Sequence, residues 1–96
     1  MIDELYLPVI EGLIFASEDP ISADEIVRAI VAIDGETTLI NYEDVTNAVD
    51  QINLKYENVE YPFKIARISG GYIFATKPEL SKYLGYKKKK KIKRRL

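Results

Sequence analysis

The sequence has no cysteine and no histidine. Without cysteine there is no disulfide framework, no thiolate nucleophile and no thiol redox switch. Without histidine the commonest general base and the commonest zinc ligand are both missing, so catalysis would rest on carboxylates, lysines or hydroxyls. No apolar segment reaches the roughly 20 residues that a membrane-spanning helix requires. The opening Met1-Ile2-Asp3-Glu4 is acidic where a secretory signal is basic, and the expectation is a soluble, intracellular protein. Positive charge is also scarce until the end. Arg28, Lys55, Lys64, Arg67, Lys77 and Lys82 are the only basic residues before position 87, against all 15 acidic ones. Residues 1–86 therefore carry a formal charge of −9, and the last ten residues, KKKKKIKRRL, add +8 to leave the net −1. An acidic body of this kind repels polyphosphate, and only the tail attracts it.

What is present is a globular composition, 47% apolar and 30% charged, with seven Tyr and three Phe as its aromatics. A chain of 96 residues suits one small domain, which buries only about 60–65% of its unfolded surface, so a partner chain is an expected source of stability. Along LYLPVIEGLIFASED, Leu5, Val9, Leu13 and Ile14 recur at helical spacing, with Ala16 following. Ile10 and Phe15 lie off that stripe, which predicts a first helix apolar over more than one face. Ser22-Ala23-Asp24-Glu25 is a capping-box pattern opening a second helix, with Ile26, Val27, Ile30 and Ile33 inward and Asp34-Gly35 at its end. Asn41 is the expected N-cap of a third helix, to about Tyr56, with Val45, Val49, Ile52 and Tyr56 inward. The apolar period then changes from about 3.6 to about 2. PFKIARIS and YIFAT read as two strands turning at Gly70-Gly71. Thr76-Lys77-Pro78-Glu79 has the form of another capping box, opening a short helix that Gly85 closes. Three helices, a hairpin and a short helix give a mostly helical α+β fold, the winged helix-turn-helix. The domain is expected over residues 1–86, with 87–96 a basic, disordered linker or tail.

Little in this pattern carries catalysis. Asp24/Glu25 and Glu43/Asp44 are adjacent carboxylates, but neighbours on a helix diverge by about 100° and cannot share a substrate. Capping and dipole complement explain them better. Gly70-Gly71 lacks the spacing and the following Lys-Ser/Thr of a phosphate loop. No metal-ligand spacing is present, and no cofactor or small-molecule substrate is implied. Nucleic acid is the serious alternative, because winged helices commonly place the third helix in the major groove. Here that helix offers Glu43, Asp44, Asn47, Asp50, Gln51, Asn53, Lys55 and Glu57, four carboxylates against one lysine. Phosphates and the acceptor-rich groove repel such a surface. The remaining candidates for nucleic-acid contact are Lys64, Arg67 and Lys77 on the wing and Lys87, Lys88, Lys89, Lys90, Lys91, Lys93, Arg94 and Arg95 in the tail.

Two stretches resemble a known family. IEGLIFASEDPISADEI, from Ile10 to Ile26, and ISGGYIFATKPE, from Ile68 to Glu79, look like the N-terminal domain of segregation and condensation protein B, the ScpB family. That family shows an EALLFAS-EPLS-EEL opening, a GGY hairpin and a Thr-Lys-Pro-Glu start to the next helix. The resemblance covers about residues 2–85. It implies a non-enzymatic accessory subunit, cytoplasmic and nucleoid-associated, acting in chromosome condensation and segregation. Such a subunit homodimerises and binds the central part of a kleisin, the ScpA-like partner that bridges SMC ATPase heads. It also implies a second winged-helix domain after the basic stretch, which makes the tail an interdomain linker. Tyr6, Ile10 and Phe15 on the first helix, with Tyr72 and Phe74 on the wing, are the expected interface residues. DNA binding is expected to be at most weak and non-specific, through the tail, and no membrane partner is expected. The alternative is a DNA-binding winged-helix transcriptional regulator gripping phosphates with wing and tail.

Overall fold

The computed structural model describes residues 4–35 and 38–88. Three helices come first: α1 (Tyr6–Ala16), α2 (Ala23–Asp34) and α3 (Tyr42–Tyr56). An antiparallel hairpin follows, of β1 (Phe63–Ile68) and β2 (Gly71–Thr76), then a 3₁₀ turn (Pro78–Leu80) and α4 (Ser81–Lys88). This is the winged-helix order that the sequence predicts.

The helix starts are set by side chains. Ser22 Oγ accepts the Glu25 N–H while the Glu25 carboxylate accepts the Ser22 N–H, at 3.1 and 2.9 Å. Asn41 and Asp44 repeat this reciprocal pair at the start of α3, at 2.9 and 3.0 Å. Each box satisfies two N–H groups that helix geometry leaves without partners. Two of the four adjacent carboxylates are thus occupied in capping. The expected box at Thr76 does not form, because Thr76 stays in the ladder opposite Phe63 and no side chain caps the turn that follows. Nor does Gly85 end the last helix, which continues to Lys88. The expectation of a disordered tail therefore meets helix at 87 and 88, and residues 89–96 lie outside those described.

Ile10 and Ile14 of α1, Ile26 of α2 and Val45 of α3 are fully buried and form the centre of the core. Ile30, Val49, Ile52 and Tyr56 extend it, and Ile65 and Tyr72 close it from the hairpin. The inward set of α3 is as its spacing predicts. In α2 the last buried residue is Ile30 and Val31 still packs against the core, while Ile33 is turned outward, 84% exposed.

The hairpin turns one residue earlier than Gly70-Gly71 predicts. Ser69 and Gly70, at φ 53° and 79°, are the two turn residues, and positive φ at both is what the I′ geometry matched to strand twist requires. Gly71 is instead the first residue of β2, paired with Ile68. A Cβ there would lie 2.9 Å from the Pro20 Cβ and 3.0 Å from the Ile21 nitrogen. That close approach lets Ile21 exchange both backbone hydrogen bonds with Tyr72, at 3.0 and 2.8 Å, and covers the outer edge of β2. The edge of β1 is covered by a side chain. Asn53 of α3 accepts from the Ile65 N–H and donates to the Ile65 carbonyl, both at 2.9 Å.

Candidate functional site

The first helix has two apolar faces. One holds Ile10 and Ile14, flanked by Tyr6, Leu7 and Leu13, and packs into the core. Leu5, Val9, Gly12 and Ala16, with Pro8 and Phe15 at its edge, form the other, within an arc of about 120°. This second face is exposed: Leu5 is 74%, Val9 43% and Phe15 51% accessible. The stripe of Leu5, Val9, Leu13 and Ile14, with Ala16, is split: Leu13 and Ile14 pack inward, and Leu5, Val9 and Ala16 lie outside. Ile10, expected at the surface, is completely buried. With both faces apolar the periodicity does not say which one meets α3, and packing chooses the face with two isoleucines.

Glu11 is the only charged residue in α1, and the domain neutralises it. Its carboxylate lies 3.1 Å from the Lys55 ammonium and accepts the Tyr56 hydroxyl. Burial pushes the Tyr56 phenol above its ordinary pKa, and the bond to Glu11 adds to this. For Lys55, desolvation lowers the pKa, but the hydrogen bond and charge of Glu11 outweigh it and raise it. The one charge of α1 is thus paired, at the edge of its outer face.

Between α1 and the wing lies an apolar cleft of about 320 Å³. Pro8, Glu11, Gly12 and Phe15 form its helix wall, Phe63 and Phe74 the wing wall, and Tyr56 joins them. Edge-on ring packing stiffens this wall: Phe15 meets Phe74 at 6.0 Å, and Phe63 meets Phe74 at 5.6 Å. Phe15 and Phe74, two of the expected interface residues, are thus brought together beside the cleft. Tyr6 is half-buried and donates to Asp34 at 2.6 Å, tying α1 to the end of α2. Ile10 and Tyr72 lie in the core instead, where the domain itself accounts for them.

The three wing cations are not gathered on one surface: Lys64 and Lys77 line a cleft together with Glu57 and Glu79, and Arg67 lies apart. Lys64 and Arg67 are three residues apart on one strand and point to opposite faces. Arg67 donates to the Tyr42 hydroxyl at 3.0 Å and lies over the Tyr72 ring. Lys77 donates to the Asn58 carbonyl at 3.0 Å, just beyond α3. Of the tail candidates, Lys89, Lys90, Lys91, Lys93, Arg94 and Arg95 lie outside the described residues. The clamp by Asn53 and the pairing of Glu11 with Lys55 and Tyr56 have no local signature, because each joins elements far apart in sequence.

The family described as Segregation and condensation complex subunit ScpB matches residues 8–96. The chain belongs to the ScpB family. The match takes in both walls of the cleft. Among solved structures, a conserved hypothetical protein from Chlorobium tepidum is 31% identical with a TM-score of 0.66, covering 84% of this chain and 46% of that one. This chain thus spans about half the length of that protein. A dimer of the ScpB N-terminal domain complexed with ScpA peptide is 17% identical, with a TM-score of 0.69, covering 86% of this chain and 87% of that one. ScpB from Mycobacterium tuberculosis, 14% identical with a TM-score of 0.67, covers all of this chain and 56% of its own. The last two establish the ScpB fold. No curated protein matches the chain significantly.

Proposed function

We propose that this chain is a non-enzymatic accessory subunit of an SMC–kleisin complex in chromosome condensation and segregation, acting by homodimerisation and by binding the kleisin. Membership of the ScpB family carries the reading. The solved N-terminal domain of similar fold, a dimer holding an ScpA peptide, supplies the partner chemistry. A mostly apolar cleft whose one carboxylate, Glu11, is paired with Lys55, on a body of charge −9, suits protein partners better than polyphosphate. Residues 1–86 are read as the winged-helix domain, and 87–96 as a linker toward a second one. A protein of this kind works in the cytoplasm at the nucleoid.

Isothermal titration with the central segment of the cognate kleisin, alongside sedimentation equilibrium of the chain alone, tests this. The expected result is a self-associating chain that binds the kleisin segment with a Kd of about micromolar order or tighter. The opposing result is a monomer indifferent to kleisin that binds one duplex sequence at physiological salt. That outcome would transfer the chain to the DNA-binding regulators.

A further inference from the structure

We infer that α4 and the basic run that follows it in the sequence are one nucleic-acid-binding arm, which becomes a continuous helix when duplex phosphates neutralise it. This goes beyond the kleisin reading and does not depend on it. Helix α4 leaves the body at the 3₁₀ turn, its main contact among the described elements. Residues 81–85 are all exposed, Tyr83 at 65%. At 8 residues α4 is shorter than the roughly 12–15 that an isolated helix needs in water. Gly85, a poor helix former, lies inside it, and a Cβ placed there meets nothing within 4 Å. Neither length nor packing holds this helix.

After Lys88 the sequence continues KKKIKRRL. A helix carried on to Leu96 passes the length at which it stands alone, but charge opposes it. Lys87 and Lys91, Lys89 and Lys93, Lys90 and Arg94, and Lys91 and Arg95 are each four apart, and like charges at that spacing destabilise a helix. No acidic residue follows Glu79 to relieve them. At 1.5 Å per residue, α4 sets the run about 12 Å from the 3₁₀ turn, more than the Debye length of about 8 Å at physiological salt, so the acidic body screens it little. The distribution of charge selects the polyanion. At about 100° per residue the eight cations fall on every side of the helix, and Tyr83, Leu84, Tyr86 and Ile92 gather into no stripe. A helix lying on a membrane needs an apolar face, which is missing here. The major groove admits an α-helix between two walls of phosphates, where charge on all sides is matched.

The full chain is titrated with a mixed-sequence DNA duplex and, separately, with vesicles of phosphatidylcholine and phosphatidylserine, followed by far-UV circular dichroism and fluorescence anisotropy. The expected result is a gain in helical signal with the duplex and none with the vesicles. Gly85→Ala improves the helix at the joint and should bind the duplex about two- to fivefold tighter. Gly85→Pro interrupts the helix and should bind more weakly, without the gain in helix. Both should keep the wild-type salt dependence, because no cation is changed. Duplex binding with no gain in helix, and with equal affinity for all three chains, overturns the inference, for the run then binds as an extended chain. Helix gained on the vesicles and not on the duplex assigns the arm to membranes and overturns it equally, as does a chain that does not bind the duplex.

Discussion

Gly71 and Asn53 show how much single side chains decide. Gly71 needs no unusual φ; what it needs is room for the Pro20-Ile21 backbone. Gly71→Ala is expected to destabilise by about 1–3 kcal/mol, the range for overpacking, measured as a lowered urea midpoint. Asn53→Ala leaves the Ile65 N–H and carbonyl without their side-chain partner, and a loss of about 1–3 kcal/mol is expected in the same measurement. Neither role is legible in the sequence. Gly71 reads as half of a turn and Asn53 as one more polar residue on α3, because their contacts come from residues 20, 21 and 65. Titration adds a pH signature. Burial raises the Tyr56 and Tyr72 phenols, and Glu11 raises Lys55 against its desolvation. In each case the protonated form is favoured by folding. Their contribution is complete below the unfolded value of about 10 and is lost as pH rises through the higher folded values. The urea midpoint should fall above about pH 10, and fall less steeply in Tyr56→Phe, which has no phenol to ionise at that position.

At the scale of elements, α2 and α3 depend on the same device. Ser22→Ala and Asn41→Ala each remove one half of a capping box and should cost about 1 kcal/mol, with the double variant additive to within about 0.5 kcal/mol. Thermal unfolding followed by circular dichroism reads this, and a strongly non-additive pair would mean the two starts are coupled. Both caps are legible from sequence because capping is local, spanning four residues. The inward set of α3 is legible for a similar reason: it has one apolar face. The helix α1 is not, since two apolar faces give periodicity no phase. The last turn of α2 fails differently, for Val31 packs against the core while Ile33, two residues on, keeps the helical spacing but faces outward.

For the whole molecule the charge division sets the behaviour toward nucleic acid. The chain should bind duplex DNA weakly and without sequence preference, with a salt slope reflecting at most about eight phosphate contacts from residues 87–96. A variant ending at Tyr86 should lose this binding in fluorescence anisotropy, and retained sequence-selective binding would refute the argument from the acidic α3. The sequence by itself determined the element order, the caps of α2 and α3, the acidic body and the family, because these rest on composition and on contacts within a few residues. Tertiary structure alone decided which face of α1 is core, that Ile10 and Tyr72 are internal, and that Arg67 and Lys77 are held by Tyr42 and Asn58. Those outcomes depend on which surfaces meet across the fold, where burial of one apolar face excludes another, and spacing along the chain carries no term for that choice.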